Sequence, residues 1–395
     1  MTILKSKNFA RTISLIGFTL LITVCGKQVL DPFEAERIVL ENDPEILNSR
    51  IKYFNQEIPL DSSSSLSKAG ASKRTHTKLI LLAEVEPPEI EGHKLQASHV
   101  TLSNDHAYIS YSTRNNEFRG GVEILDLKTA DRPVSRSLAL FRDTDITLAI
   151  AWDDRLYLGG ATDSDHNSNF KTPAVLEVIT LDDYRLTDLS ERVDLPSFNA
   201  NDLACFDDAI FVTTGTTDGT LSIFDQHEDG LILSKEIKID AAKAIDKNKE
   251  YFVVMEGTGT NLHLFDRPSR EFLKTIPLGC PNFYKAKAEI QVVRDRIYLS
   301  AWDCGMMIYD LKKETLKGFP APEGGHCNAI SINLELAFMA NGSDGLSVLF
   351  ITKNGFEEIG SVKFAGSTNF VATLDDLLFV ANGSGGLKVL RIERN

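Results

Sequence analysis

The sequence predicts an all-β protein, a seven-bladed β-propeller closed by a strand from near its N-terminus. The run Leu336–Ile351 recurs about 41 residues later as Leu377–Ile392, and this period is typical of propeller blades. Hairpins of the same kind occur seven times after Lys78. One further strand, Lys78–Val85, precedes the first hairpin.

Each hairpin has an aromatic residue in its first strand and a glycine-containing turn after it. Glycine adopts the positive φ that tight hairpin turns require. A short apolar strand precedes each hairpin and another follows the first six, so a repeat has four strands, as a propeller blade does. The aromatic residues recur every 40 to 54 positions, which indicates core between blades. They are Tyr108, Tyr157, Phe211, Phe252, Tyr298, Phe338 and Phe379.

The seventh repeat has three strands, because its hairpin reaches Asn395. Lys78–Val85 resembles the fourth strands of the other repeats. We expect it to pair with the last hairpin, which closes the ring and removes an exposed sheet edge.

The chain of 395 residues has a net charge of −14 and no run of lysine or arginine. Phosphate binding needs clustered cations, so this composition argues against nucleic acid as a partner. The acidity is typical of a soluble, self-repelling surface.

The N-terminus has the pattern of a signal peptide over residues 1–24. Three basic residues precede the apolar stretch Ile13–Val24, which is short for a membrane-spanning helix. The run LITVC, ending at Cys25, resembles a bacterial lipobox, with Val24 where a small residue is usual. The resemblance implies lipidation of Cys25 and anchoring at the outer membrane or cell surface. Ordinary signal cleavage and an uncleaved anchor are the alternatives.

Residues 25–77 differ in composition from the repeats. Asp31–Gln56 has apolar residues at helical spacing, which predicts a short helix. Leu60–Thr77 contains four consecutive serines and indicates a flexible linker. We expect this segment to hold the propeller, residues 78–395, away from the membrane. A helix that docks on the propeller is the alternative.

Four cysteines follow Cys25, and an even number permits disulfides in an exported protein. Cys280, Cys304 and Cys327 are expected on one face of the propeller. We expect two of these three to be bonded, with Cys280–Cys327 as the first choice. Cys205 falls in a predicted channel strand, where a buried thiol is expected.

Candidate ligand-binding residues lie nine or ten positions before each aromatic residue. These positions are expected at the mouth of the central channel: His99, Thr147, Asn201, Lys243, Glu289, Asn328 and Asn369. Trp302 and Asp303 are expected on the same face. Such polar groups form a ligand site, or they bind channel water and one another.

Two patterns suggest calcium. Oxygens of Glu289 and of asparagines suit a hard cation such as Ca²⁺. In the turn Gly159–Pro173, oxygen-bearing residues at every second position resemble the start of a calcium loop, although the glycine and glutamate that such loops use are replaced. A solvated polar loop is the alternative. These residues are Asp163, Asp165, Asn167 and Asn169.

The runs FMANGSDGLSVLFI and FVANGSGGLKVLRI resemble LVIVD repeats, which occur in bacterial surface lipoproteins predicted to be β-propellers. The resemblance covers roughly Lys78–Asn395 and is clearest in the last two repeats. It implies the fold and a surface location, and it implies no reaction.

The sequence contains no nucleophile elbow, P-loop or HExxH motif. We therefore expect a non-catalytic binding scaffold at the cell envelope, which contacts an envelope protein or an extracellular ligand. The alternative resembles propeller lactonases, which are calcium-dependent hydrolases that usually have six blades. Its channel ion would be bound by Glu289, Asn201, Asn328 and Asn369. A structural spacer is a third interpretation.

Overall fold

A computed structural model describes residues 37–61, 77–113, 117–129, 131–165, 170–227, 230–323, 325–353 and 355–394. The signal peptide, Cys25 and the serine-rich part of the linker lie outside these residues, so the predictions for them stay predictions. The described chain begins with β1 (Ile38–Glu41), α1 (Pro44–Ser49), β2 (Ile51–Ile58) and β3 (Thr77–Val85). A small hairpin, β4 (Glu89–Ile90) and β5 (His93–Lys94), follows.

Seven antiparallel sheets form the blades. The strands of one repeat are hydrogen-bonded in chain order from the channel outward, and β1, β2 and β3 are added on the outer side of blades 1 and 7. Blade 1 contains β6 (Gln96–Ser103), β7 (His106–Ser112), β8 (Gly120–Asp126) and β9 (Val134–Phe141). Blade 2 contains β10 (Thr144–Trp152), β11 (Arg155–Thr162), β12 (Ala174–Asp182) and β13 (Arg185–Asp194). Blade 3 contains β14 (Ala200–Phe206), β15 (Ala209–Thr214), β16 (Thr220–His227) and β17 (Gly230–Lys238).

Blade 4 contains β18 (Ala242–Lys247), β19 (Tyr251–Glu256), β20 (Asn261–Asp266) and β21 (Phe272–Pro277). Blade 5 contains β22 (Glu289–Val293), β23 (Arg296–Ser300), β24 (Met306–Asp310) and β25 (Thr315–Phe319). Blade 6 contains β26 (Ala329–Asn333), β27 (Leu336–Ala340), β28 (Leu346–Thr352) and β29 (Gly355–Val362). Blade 7 contains β30 (Phe370–Leu374), β31 (Leu377–Ala381) and β32 (Leu387–Arg394), completed by β3.

The hydrophobic core lies between the faces of neighbouring blades. Middle strands such as β7 and β31 are buried on both faces, whereas outer strands such as β17 are exposed on one side. All seven predicted aromatic residues are 0–4% exposed, which confirms their place in the core. The rings of Phe211 in blade 3 and Phe252 in blade 4 lie 5.3 Å apart between their centroids, so they pack one blade on the next.

The predicted closure of the ring is confirmed. β3 pairs antiparallel with β32, with Thr77 opposite Arg394 and Val85 opposite Leu387. The innermost strands contact one another around the whole circle, and β30 contacts β6 where blade 7 meets blade 1. Edge strands that are paired in this way do not offer a template for aggregation.

The predicted helix over Asp31–Gln56 is wrong in the part that the structure describes. Between Ile38 and Gln56 the one helix is Pro44–Ser49, and it is flanked by the strands β1 and β2. β1 pairs with β9 on the outer edge of blade 1, and β2 pairs with β3 on the outer edge of blade 7. Pairing with an open sheet edge outweighs a helix-like spacing of apolar residues, because edge backbone groups need partners.

Residues 37–61 form an N-terminal strap that crosses the closure between blades 7 and 1. At its start, Arg37 donates two hydrogen bonds to Glu177 of blade 2, of 2.8 and 3.1 Å. At its end, Asp61 and Ser361 of blade 6 exchange backbone hydrogen bonds of 2.8 and 3.0 Å. The strap therefore contacts blades 2, 1, 7 and 6. None of the described helices is long and apolar enough to cross a membrane.

Candidate functional site

A cavity of about 720 Å³ opens where the innermost strands begin, at one end of the channel. We call it the mouth cavity. Six of the seven predicted mouth positions line it, namely His99, Thr147, Asn201, Lys243, Glu289 and Asn328. Asn369 and Trp302 line a neighbouring cavity of about 500 Å³ on the same face. The positions nine or ten residues before the aromatic residues therefore lie at the mouth of the channel, as predicted.

A crossing loop, residues 278–288, separates the two cavities. Its residues Lys285, Ala286 and Lys287 line both of them. The loop precedes blade 5, yet Lys287 Nζ donates a 3.0 Å hydrogen bond to the Ser98 carbonyl of blade 1. Phe283 is 4% exposed, and its backbone N–H donates to the Gly257 carbonyl at 3.0 Å. The loop is therefore held at both sides of the mouth.

A disulfide ties the crossing loop to blade 5. It joins Cys280 and Cys304, whose Cα atoms are 6.1 Å apart. The expectation that two of the three cysteines on this face are bonded is confirmed, and the choice of Cys280–Cys327 is wrong. Cys327 is fully buried between blades 5 and 6, next to Met306 and Ile330, so its thiol points into the core. Sequence spacing places a cysteine on a face but does not give the direction of its side chain.

Cys205 is a free thiol in the innermost strand of blade 3, as expected, although the residue is half-buried rather than fully buried. Burial raises the pKa of this thiol to about 12, and the Lys247 and Asp153 charges make smaller contributions. The thiol is therefore protonated and unreactive at neutral pH.

The asparagines predicted at the mouth brace neighbouring blades. Asn201 Nδ2 donates to the Ala242 carbonyl of blade 4 at 2.7 Å. Asn369 Nδ2 donates to the Ala97 carbonyl at 3.2 Å, across the closure of the ring. Asn328 Nδ2 donates similarly, at 3.4 Å, to the Thr368 carbonyl of blade 7. These hydrogen bonds agree with the alternative interpretation, in which polar groups at the channel mouth bind other parts of the protein rather than a ligand.

The residues proposed for a channel calcium ion take part in other contacts, and the calcium site stays a prediction. The Asn201 and Asn369 side-chain oxygens accept hydrogen bonds from Asn199 and Ser367, of 3.1 and 3.0 Å. Burial and then the Asp202 and Asp246 charges raise the pKa of Glu289 well above its usual value. Among the described residues, no three His, Cys, Asp or Glu side chains are grouped to bind a metal.

The predicted calcium loop in blade 2 is described only in part. Asp163 and Asp165 line the mouth cavity, and Asn167 and Asn169 lie outside the described residues. The two aspartates therefore place negative charge on the blade 2 side of the cavity.

Carboxyl groups below the mouth link the innermost strands to one another. Asp202 accepts a 2.8 Å hydrogen bond from the Ile245 N–H of blade 4. Asp246 accepts one of 2.6 Å from the Val292 N–H of blade 5. Burial raises the pKa of Asp202 to about 7, although the N–H groups of Ile245 and Leu203 oppose the shift. The sequence analysis did not predict these two contacts, because only the strand register shows which side chains reach the next blade.

Lys243 is the most unusual group in the wall of the mouth cavity. Its side chain is 6% exposed, and no described residue forms a hydrogen bond or ion pair with its ammonium group. Burial lowers its pKa to about 8. The stem lies against Gly257, where a Cβ would be 3.1 Å from Lys243 Cε and 3.2 Å from Tyr284 Cα. Glycine at 257 therefore leaves room for the lysine beneath the crossing loop.

His99 lies on the opposite side of the cavity as a neutral imidazole. Burial, with a smaller contribution from Lys287, lowers its pKa to about 3. Its Nδ1 is buried with no hydrogen-bond partner among the described residues, and its ring centroid lies 3.8 Å from that of Phe370. A histidine with so low a pKa is a weak base, because it is easily deprotonated and seldom takes up a proton.

The outer rim of the mouth cavity is aromatic. Phe118 of blade 1 and Phe198 before blade 3 have ring centroids 6.4 Å apart, and Phe198 is 50% exposed. Tyr284 of the crossing loop adds a third ring to the wall. Exposed aromatic rings beside a cavity are typical of binding surfaces.

Trp302 and Asp303 lie at the rim of the second cavity together with His326. The Trp302 and His326 rings stack with centroids 3.9 Å apart. Asp303 Oδ1 lies 2.6 Å from His326 Nδ1, which orients the imidazole. Asp303 is thus a support for His326 rather than part of a cavity wall.

No known protein family and no curated protein matches the chain. Among solved structures, the crystal structure of RRP9 WD40 repeats matches with a TM-score of 0.57 and 10% sequence identity. The match covers 78% of this chain and 98% of that chain. The chain is a β-propeller. At 10% sequence identity the structural similarity shows the fold alone. The resemblance to LVIVD repeats stays a prediction.

Proposed function

We propose that this propeller is a non-catalytic binding scaffold whose recognition surface is the channel mouth. The observation that carries the proposal is a cavity of about 720 Å³ with a buried, unpaired lysine in its wall and exposed aromatic rings at its rim. Ligand sites usually have volumes of about 300–1,000 Å³, apolar walls and a few convergent polar groups.

The chemistry around the cavity supports binding rather than turnover. His99 is a poor general base, and the mouth asparagines are held by neighbouring blades. A propeller framework suits this role, because its cross-braced blades hold the mouth loops in fixed positions before a partner arrives.

The test compares two exposed phenylalanines in the full chain. Phe198→Ser changes the mouth, and Phe272→Ser changes the outer strand of blade 4, where Phe272 is 53% exposed. Immobilised protein is exposed to detergent-solubilised envelope extract, and bound material is quantified against the unchanged chain. We expect Phe198→Ser to reduce specific capture at least tenfold and Phe272→Ser to leave it unchanged. Equal capture by both variants would contradict a mouth-centred interface.

We propose further that the protein is exported and anchored through lipid on Cys25, in keeping with the LITVC run. More than one acyl chain is needed for stable anchoring, and a lipidated N-terminal cysteine carries several. Cells fed radiolabelled palmitate are expected to label the full chain and not Cys25→Ser, which is released from the membrane fraction. A Cys205→Ser variant is the matched control and is expected to label normally. Membrane retention of unlabelled Cys25→Ser would contradict the anchor.

A further inference from the structure

We propose that the mouth cavity binds an organic monocarboxylate with an aromatic or apolar body, and that the carboxylate pairs with the Lys243 ammonium group. The inference rests on the proposed function, since it names the ligand class of the same site. The inference adds two contacts to that function: an ion pair between Lys243 and the ligand, and an apolar surface for the rest of the ligand.

Lys243 has no partner for its ammonium group among the described residues. A buried ammonium group without a counter-ion is costly, and proteins usually pair such groups. Here the side chain is 94% buried, since 6% is exposed, and it lines the cavity without a partner among the described residues. The remaining direction from which an anion can reach Lys243 Nζ is the cavity itself. Since its pKa is about 8, the group is mainly charged at neutral pH.

Lys243 is also held in place before a ligand arrives. Its stem runs between Gly257 and the crossing loop, which Cys280–Cys304 and the Phe283 hydrogen bond fix over the mouth. A lysine side chain that is already immobilised loses little further rotamer entropy when it binds an anion. This placement distinguishes it from Lys285, which is exposed at the rim and lies 5.5 Å from the Tyr284 ring centroid.

The other charges of the cavity disfavour a ligand with many negative groups. Asp163 and Asp165 line the blade 2 side, and Lys285 and Lys287 line the side of the crossing loop. Burial raises the pKa of Asp145, also on the blade 2 side, to about 7, and the whole chain carries a net charge of −14. Polyanions such as nucleic acids would meet this negative wall, whereas a lone carboxylate can remain next to Lys243. His99 adds no positive charge, because its low pKa keeps it neutral.

The apolar part of the ligand has a matching surface. Phe118, Phe198 and Tyr284 line the same cavity, and their rings provide stacking and edge contacts for a planar or aliphatic group. Such contacts supply affinity through apolar burial, and the single ion pair fixes orientation.

The test uses 3-phenylpropionate and its neutral analogue 3-phenylpropionamide as probes of the full chain, measured by titration calorimetry at pH 7. We expect the carboxylate to bind the unchanged protein at millimolar or lower concentration, and the amide to bind at least tenfold more weakly. Lys243→Met keeps the length of the side chain and removes its charge. It is expected to weaken binding of the carboxylate at least tenfold and to leave that of the amide unchanged.

Lys249→Met is the matched control, because Lys249 is exposed in the turn at the other end of blade 4. It is expected to bind the carboxylate like the unchanged protein. If Lys243→Met does not fold, Lys243→Gln takes its place. Absence of carboxylate binding, equal binding of the amide, or full binding by Lys243→Met would each overturn the inference. These outcomes leave the capture test with Phe198→Ser unaffected, so the two proposals fail separately.

Discussion

At the scale of single residues, Lys243 combines a stability cost with the proposed role in binding. Desolvation lowers its pKa in the folded chain to about 8 from an ordinary value of 10.5, so burial disfavours the charged form. Strained or desolvated groups at binding sites often reduce stability in this way. The same residue can therefore be examined without knowledge of any ligand.

The stability of the protein is expected to rise between about pH 8 and pH 10.5 through Lys243. In this window the unfolded chain binds a proton on this lysine and the folded chain does not, so the free energy of unfolding increases with pH. Lys243→Met lacks the contribution, whereas Lys287, whose pKa is also lowered to about 8, remains in both proteins. Urea unfolding at pH 7.5 and 10 is expected to show a gain of about 2 kcal/mol in the unchanged protein relative to the variant. A pH-independent difference would contradict the assigned pKa.

Sequence reasoning at this scale found positions but not contacts. The distance from each aromatic residue located Lys243 and Glu289 at the mouth, because strands of one blade keep a regular length. It did not find Asp202 as a link between blades, nor the inward direction of Cys327. Both depend on which side of a strand faces a neighbour, and a shift of one residue reverses that side.

At the scale of elements, the strap depends on a buried cluster of charges. Arg37 of the strap and Arg192 of β13 both contact Glu177, which is fully buried. Arg192 Nε lies 2.6 Å from Glu177 Oε1, and its guanidinium packs 4.1 Å from the Phe170 ring centroid. Glu177 thus joins the strap to blade 2, together with Asp143, which lies 3.4 Å from both guanidinium groups.

Glu177→Gln is expected to destabilise the protein by about 3 kcal/mol, because two buried guanidinium groups lose their nearest counter-ion. Among the described residues of this cluster, only Asp143, 3.4 Å from each of them, then remains as a partner carboxylate. The free energy of unfolding in urea measures the effect. Glu57→Gln is the matched control, since Glu57 pairs with Lys78 on the exposed edge of blade 7, and it is expected to change stability little. A Glu177→Gln protein as stable as the control would show that the cluster does not hold the strap.

The strap is also the element that sequence reasoning misread. Apolar residues between Asp31 and Gln56 fall at helical spacing, yet β1 and β2 are strands. Short apolar segments carry a weak local signal, and the open edges of blades 1 and 7 decide their conformation. The spacing of apolar residues within the strap gives no information about open sheet edges formed by distant parts of the chain.

At the scale of the whole molecule, repetition made the fold predictable. Seven hairpins and one displaced strand defined the number of blades and the closure by β3, and both are confirmed. The candidate site was less predictable, because the crossing loop follows no repeat. Its path from blade 5 to Ser98 of blade 1 divides the mouth in two, and only the folded ring brings these segments together.

The pairing of β3 with β32 sets the order in which the chain can mature. Thr77 leaves the ribosome long before its partner Arg394. Contacts between such distant segments form slowly, and incomplete chains expose apolar surface in the meantime. Blade 7 therefore assembles only after β32 has emerged from the ribosome, and a nascent chain needs protection from proteolysis and self-association until that moment.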